Sequence, residues 1–376
     1  MIGKDDLERC TYVLPKKKRK CRMLVKSGKK FCGEHLIYDP NDDDRILCPN
    51  DPKHTVSKSE LADHLVNRCN SRISSDPWII ENINVVSQKS ENDIDEEFRP
   101  SDDELTEIIK LVQTGFESIE STVESRILDT QLVEKHLKDT GDTINNTHVK
   151  HLKQISSIIG NLLTDDLLQD DEYHGIIELG AGKAQLAYWM AKSAPKCQFL
   201  LIDRMGARNK YDNKAINESP TLKMSRLRCS IEHLDLSKVD SFKGVKRIVA
   251  VCKHFCGNAT DGGIRCLVNA IANGFDMAGF ALAPCCHHKS TFEEYAGLDF
   301  LKSLGITTSR HFSALRHVAT WATCGMKRTK ATDPLVANPD KLSAEEKEHL
   351  GIKAKTVLEV GRAKYLANIG YDVKIS

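Results

Sequence analysis

The sequence predicts an α/β domain built on a parallel sheet, preceded by two small Cys/His modules and a helical connector. Two observations carry this expectation. From Gly175 onward, short β-branched strands alternate with helical segments, the pattern of a parallel sheet with crossover helices. Ahead of them, eight Cys and His residues fall in the first seventy positions as two consecutive sets of four. The chain has 376 residues, 40% of them hydrophobic, and a formal charge of +1. That length accommodates one full-sized domain plus a small one. No apolar stretch approaches the ~20 residues a membrane helix needs, so a soluble protein with no membrane partner is expected.

The first set is Cys10, Cys21, Cys32 and His35, spaced C-x10-C-x10-C-x2-H, and the second is Cys48, His54, His64 and Cys69, spaced C-x5-H-x9-H-x4-C. A structural zinc site takes four tetrahedral N/S ligands, and each set supplies that number. These stretches are too short and polar to fold on apolar burial alone, so two structural zinc ions would supply the missing folding energy. Disulfides are the alternative use of the cysteines. Lys4, Asp5, Asp6 and Glu8 break any apolar leader, so a reducing compartment is expected, cytoplasmic and/or nuclear (nucleolar included) and not secreted. The expected segments are a CCCH-type finger at 5–38 and a CHHC-type finger at 44–72.

Charge is distributed unevenly. Arg9 to Lys30 holds ten Lys/Arg and no Asp/Glu, including the run Lys16-Lys17-Lys18-Arg19-Lys20. Lying between two proposed ligands, this run should form a loop on the first finger that presents cations to a phosphate polyanion. Nuclear import is a second use of the same residues, and a merely solvated loop the plainest one. Glu91 to Glu107 holds nine acids against Arg99 alone, so 73–100 reads as an acidic linker.

A helical connector is expected over 101–170. Ser101-Asp102-Asp103-Glu104 resembles a helix start, followed by Leu105, Ile108, Ile109, Val112 and Phe116 at helical spacing, and a second helix is expected from His148 to Leu168. Within 171–376, strands are expected at Gly175–Leu179, Gln198–Asp203, Arg226–Ile231, Lys246–Val251, Met277–Ala283 and Tyr371–Ile375. The intervening helices are Lys183–Ser193, Ile264–Asn273, Phe292–Leu304, His311–Cys324 and Lys355–Ile369.

The first strand runs into Glu178-Leu179-Gly180-Ala181-Gly182-Lys183. Its two glycines allow a sharp turn and a close ligand approach. A dinucleotide fingerprint would place a small residue at Gln185, and Glu178 ahead of the glycines favours a cationic ligand over a pyrophosphate. Asp203 ends the second strand where an acid can hold ribose hydroxyls. Asp235, closing Ser230-Ile231-Glu232-His233-Leu234-Asp235, is expected at a third strand end near an adenine amino group. Singly, either aspartate would serve as a helix cap. Together, Glu178, Gly180, Gly182, Asp203 and Asp235 describe an S-adenosylmethionine pocket in a Rossmann-like class I methyltransferase domain.

The next two strands end in Cys252-Lys253-His254-Phe255-Cys256-Gly257 and Pro284-Cys285-Cys286-His287-His288-Lys289. Ligands of open α/β sheets bind at strand carboxyl ends, so both motifs should line one cleft. Methyl transfer needs an in-line nucleophile and, for a hydroxyl, a proton acceptor. Lys253, His254, His287 and His288 are the candidates, with the base among them undecided. A third metal site is a further use of these Cys and His residues, although adjacent Cys-Cys and His-His pairs rarely aim at one ion.

At these residues the chain resembles the eukaryotic tRNA ribose 2′-O-methyltransferases that modify the fourth nucleotide of the acceptor stem. The likeness runs through C-x-Y-x-L-P-K-K-K-R-K-C and F-C-G-E-H of the first finger, then the second finger, then His151-Leu152-Lys153-Gln154. It continues through E-L-G-A-G-K, C-K-H-F-C-G-N-A-T-D (Cys252–Asp261), P-C-C-H-H and Gly361-Arg362-Ala363-Lys364-Tyr365-Leu366. It covers nearly the whole chain except the acidic linker. The second finger resembles modules of spliceosomal and small-RNA proteins, which implies RNA rather than DNA. The resemblance implies a zinc-finger tRNA methyltransferase using S-adenosylmethionine. The basic finger would grip phosphates outside the chemistry, with Arg362 or Lys364 as a further phosphate contact.

One departure stands against the family pattern. Methyltransferases of this class end in a strand hairpin after the last helix, whereas here the single strand Tyr371–Ile375 would leave a sheet position unpaired. That motivates a second reading, an RNA-binding scaffold with a non-catalytic fold. A third keeps the enzyme and changes the target to another RNA, a base or a protein side chain. The absence of an N/D-P-P-Y loop disfavours amine substrates. Oligomeric state is not legible.

Overall fold

A five-stranded parallel sheet organises the larger of two units, Asp76–Ser376, while Met1–Ser75 forms the other. The structure is a computed structural model, and it describes residues 9–15, 18–41, 44–69, 72, 76–86, 99–204, 210–242, 244–322 and 342–375. Lys16 and Lys17 of the basic run, most of the predicted acidic linker and Cys324 lie outside the described residues.

In the first unit, β1 (Val13–Leu14) and β2 (Arg19–Lys20) form a short antiparallel hairpin. A second hairpin pairs β3 (Arg45–Cys48) with β4 (Asp51–Ser57), in register Ile46↔Val56 and Leu47↔Thr55. A helical turn over 58–68 follows it. The second hairpin is tied to the Cys32–His35 segment through Thr55, whose N–H donates to Glu34 Oε2 at 2.8 Å and whose hydroxyl donates to the Gly33 carbonyl at 3.0 Å.

In the second unit, helix α1 (Asp102–Glu117) starts at the expected place. The Ser101 hydroxyl accepts from the Glu104 N–H while Glu104 reaches back to the Ser101 N–H, a reciprocal cap. Helix α2 (Gln131–Thr140) has no counterpart among the expected elements, and α3 (Asn146–Thr164) corresponds to the second connector helix. The Rossmann-like part is β5 (His174–Leu179), α4 (Gln185–Ser193), β6 (Gln198–Ile202), α5 (Tyr211–Glu218), β7 (Lys223–Leu227), β8 (Arg247–Lys253), α6 (Asn258–Ala272) and β9 (Met277–Ala283). The order β7-β6-β5-β8-β9 reverses direction at β5, which opens a crevice at the carboxyl ends of β5, β6 and β8. Helices α7 (Leu298–Ser303), α8 (Ser309–Thr320) and α9 (Ala344–Asn368) follow. No helix among the described residues is long and apolar enough to cross a membrane.

Alternation along the strands explains the layers. Ile176, Phe199, Leu201, Val249 and Val251 face α3 and α4, whereas Ile177, Leu200, Ile248 and Ala250 face Leu267 and Ala270 of α6. Leu152, Ile155, Ile159 and Leu162 of α3 are all buried at 1% exposure or less. At about 1.5–3 kcal/mol each, they anchor this helix by roughly 6–12 kcal/mol. Helix α3 is therefore part of the sheet's own core, and it brings His151 to Lys253 at the end of β8. A separate cluster joins α1, α7, α8 and α9 through residues such as Ile108, Leu301, Phe312 and Leu358.

Two expected strands are corrected. The third strand is Lys223–Leu227, not Arg226–Ile231, and pairs with β6 in register Gln198↔Lys223 to Ile202↔Leu227. As a sheet edge carrying Lys223, Ser225 and Arg226 it lacks an apolar run. Ile231 and Leu234 instead pack beneath α6, from a 3-10 turn at Ile231–His233. The sixth strand, Tyr371–Ile375, does not form. Tyr371 packs edge-on against Phe280 and its hydroxyl donates to the Met277 carbonyl at 2.8 Å, with Ile375 making only a single bridge to Val123. A cavity of about 560 Å³ lies along this outer side of β9, lined by Gly279, Ala281, Asn161, Leu366 and Val373. Helix boundaries also shift. Phe292–Leu304 contracts to α7 because Gly297 presses on the backbone of Gly361, where a Cβ would sit 2.4 Å from the carbonyl carbon. Lys355–Ile369 instead extends back to a capping box at Ser343 and Glu346.

Candidate functional site

Each Cys/His set of the first unit converges. In the first, Cys10, Cys21 and Cys32 are buried, and His35 Nδ1 lies 3.4 Å from the Sγ of both Cys10 and Cys32. Tyr12 stacks on the His35 ring at 4.1 Å and fixes its orientation. In the second, Cys48 and Cys69 Sγ are 3.5 Å apart, His54 and His64 Nε2 are 3.1 Å apart, and the mixed pairs lie at 3.3 and 3.7 Å. Within each set the four ligand atoms lie within 4.8 Å of one another. Tetrahedral zinc with bonds of about 2.0–2.3 Å separates its ligands by roughly 3.3–3.8 Å, so both sets fit the ion. Lys18, Arg19, Lys20 and Arg22 are exposed beside the first set.

The crevice of the second unit begins where β5 ends. Gly180 has φ +64°, and a Cβ there would lie 2.5 Å from the Phe255 ring. Gly182 has φ +49°, and its N–H donates to Asp203 Oδ2 at 2.9 Å, which ties the loop to the end of β6. Glu178, 3% exposed, accepts from the Ala187 N–H at 3.1 Å and seats the first turn of α4. Burial pushes its carboxyl up to about 8, opposed by that hydrogen bond and by Arg226. Between its ordinary value of 4.5 and about 8 the folded protein keeps this carboxyl protonated while the unfolded chain ionises it. Its contribution to stability is thus present below 4.5 and lost as pH rises towards 8. The urea midpoint is expected to fall from pH 5 to 7.5, and Glu178→Gln to flatten that fall. An equal slope in both proteins would contradict this.

Asp235 is corrected. It is not at a strand end, since β7 stops at Leu227, eight residues earlier. Its Oδ1 accepts from the N–H and hydroxyl of Ser237 at 3.2 and 2.6 Å, capping the 3-10 turn Leu236–Lys238. Oδ1 thus serves as a helix cap.

Lys253 sits at the end of β8 on the same sheet face as Glu178, which lies opposite Val251 in the ladder. Its Nζ donates to the His151 carbonyl of α3 at 3.2 Å. Burial pushes the amine down to about 8, with Glu178 opposing. His254 follows with φ +65°, a conformation a non-glycine residue rarely holds, and its ring meets His151 edge-on at 5.7 Å. Partial burial and then Lys253 lower its basicity. Sequence reasoning gave His151 no role. Its only signal was the H-L-K-Q motif.

His287 and His288 diverge. His287 is 4% exposed and its Nε2 donates to Glu359 Oε1 at 2.6 Å. His288 is half-buried, and its Nδ1 has no hydrogen-bond partner among the described residues. Glu359 also accepts from Arg362 Nη1 at 2.6 Å, and Arg362 forks onto Asp261 at 2.9 and 2.8 Å. Against the burial that would raise it, Arg362 and His287 hold the Glu359 carboxyl below its ordinary range. Arg362 is 3% exposed, so the expected phosphate contact is corrected: the side chain is a buried hub joining α9, α6 and the loop after β9. Lys364 lies with its ammonium 4.6 Å from the Phe300 ring centroid. Glu359 and Asp261 were missed because each acts across about a hundred residues or fewer of intervening chain, a pairing that no local spacing reveals.

The chain matches described families along most of its length. Residues 153–376 match the family described as Methyltransferase TRM13, residues 8–36 the CCCH zinc finger in TRM13 protein, and residues 45–70 the U11-48K-like CHHC zinc finger. A mouse protein named tRNA:m(4)X modification enzyme TRM13 homolog is 32% identical, over 97% of this chain and 90% of its own. The human protein of the same name is 31% identical over the same shares. The Kluyveromyces lactis enzyme is 29% identical over 98% of this chain and 92% of its own.

Proposed function

The chain belongs to the TRM13 methyltransferase family, and from that premise we propose that it transfers a methyl group from S-adenosylmethionine to a ribose 2′-oxygen at the fourth nucleotide of the tRNA acceptor stem. The relatives are named as tRNA:m(4)X modification enzymes, which supports tRNA as the substrate class. The observation that carries the chemistry is Lys253, at a strand end on one sheet face with Glu178 and beside the glycine loop.

The residues at the switch point fit this cofactor. A loop with positive φ at Gly180 and Gly182 lets the backbone approach it, and Asp203 offers a carboxylate suited to ribose hydroxyls. When bound, S-adenosylmethionine supplies an electrophilic methyl carbon on a sulfonium. Asp203→Ala is expected to abolish saturable cofactor uptake in calorimetry, through the loss of charge-assisted hydrogen bonds worth about 1.5–3 kcal/mol each. Unchanged uptake would remove Asp203 from the site.

The nucleophile is a hydroxyl, so its proton needs an acceptor as the oxygen–carbon bond forms. As the neutral amine, a form that burial favours by lowering its basicity to about 8, Lys253 takes that proton on Nζ and becomes an ammonium, while His151, through its carbonyl, positions it. His254 and His288 present their rings around the ribose, while His287, engaged by Glu359, positions the loop after β9. Zinc at the two Cys/His sets holds the fingers, whose exposed cations engage RNA phosphates. A tRNA carrying a 2′-deoxy sugar at the fourth nucleotide should accept no methyl group while its all-ribose counterpart does. Equal methylation of both would overturn the assignment.

A further inference from the structure

Beyond the two finger sites, three more thiols converge, on the catalytic unit itself. Cys256 lies just past β8 and Cys285 and Cys286 just past the neighbouring β9. Cys256 and Cys285 Sγ are 2.9 Å apart, Cys285 and Cys286 Sγ are 3.3 Å apart, and all three lie within 4.8 Å of one another. In the two finger sites the ligand atoms lie 3.1 to 3.7 Å apart; the Cys285–Cys286 separation falls in that range and the Cys256–Cys285 separation is slightly shorter. The family descriptions that match the fingers end at residue 70, and none assigns a metal to this cluster.

The backbone is shaped to make this convergence. His254 holds φ +65°, and Gly257, φ +68°, lies so close to the next loop that a Cβ would sit 2.5 Å from Lys289 Cβ. Asn258 Oδ1 then accepts from the Thr291 N–H at 2.7 Å, fastening the two loops on the other side of the thiols. Thiols are weak donors and weak acceptors, so three of them gain little from one another in return for this strain. A bound metal ion would supply the missing stabilisation.

We propose that Cys256, Cys285 and Cys286 bind a third zinc ion, with the fourth coordination position open. Three sulfurs exceed what a disulfide uses. Their close spacing suits one ion and is too tight for a 4Fe–4S cluster, where each thiolate binds a different iron. Three protein ligands plus an open position is the pattern of a zinc site that takes a water or a substrate oxygen, and all three cysteines are only partly buried. Binding converts the thiols to thiolates and releases their protons to solvent. The ion would pin the end of β8 to the end of β9, on either side of Lys253 and His288.

The test is zinc content of the full chain, purified with reductant and without chelator. Three zinc ions per chain are expected, falling to two in Cys285→Ser and in Cys256→Ser. Two in the wild type, or three retained in both variants, would overturn the proposal. Because either variant can fail to fold, alkylation of the wild type supplies a second reading. Cys256, Cys285 and Cys286 should resist iodoacetamide until a chelator is added. Modification at the same rate with and without chelator, or protection released by reductant alone, as for a disulfide, also overturns it.

Discussion

Replacing Arg362 with alanine is expected to cost about 3–5 kcal/mol of stability in chemical denaturation, because it leaves the carboxylates of Asp261 and Glu359 without their shared cation. Asp261 is fully buried and Arg362 is 3% exposed, so water cannot compensate the loss. Arg362→Lys should recover only part of it. An ammonium keeps the charge but cannot span Asp261, Glu359 and the Ser290 hydroxyl at once. The same variant should impair catalysis indirectly, since Glu359 orients His287 and Ser290 follows the thiol loop. A loss below about 1 kcal/mol would mean that the hub adds geometry without stability.

Removing zinc from the fingers carries the second large effect. Structural zinc in small fingers contributes about 10–16 kcal/mol of apparent folding free energy, and the first unit buries too little apolar surface to substitute for it. Chelation, or Cys21→Ser for the first finger, should unfold that module while the unit Asp76–Ser376 keeps its cooperative transition. RNA affinity should fall and lose part of its salt dependence, because Lys18, Arg19, Lys20 and Arg22 no longer share one surface. Uptake of S-adenosylmethionine should be unchanged. Its loss in Cys21→Ser would contradict this division of labour.

Legibility in the sequence followed burial and locality. β5 was readable because a strand covered on both faces shows an uninterrupted run, Ile176-Ile177-Glu178-Leu179, and its glycines follow at once. The finger ligands were readable because every spacing is short. β7 was misplaced because an edge strand carries polar residues, while the apolar Ile231 and Leu234 belong to a turn under α6. Tyr371–Ile375 alternates like a strand, yet its tyrosine hydroxyl occupies the Met277 carbonyl at the β9 edge in place of a ladder bond. In the crevice, Glu178, the glycines and Asp203 gather at the switch point as their strand positions implied. Asp235 lies in a turn after the third strand and not at its end. The partners that engage Lys253, His287 and Arg362 come from α3, α9 and α6, and only the tertiary packing brings them together.

The central claim is transfer to ribose on tRNA, and nucleoside analysis tests it most directly. The full chain is incubated with methyl-labelled S-adenosylmethionine and total tRNA, and the RNA is digested to nucleosides. The account predicts label in 2′-O-methylated nucleosides, absent when Lys253→Ala replaces the wild type. Label in a base or in protein, with none in ribose, would contradict it.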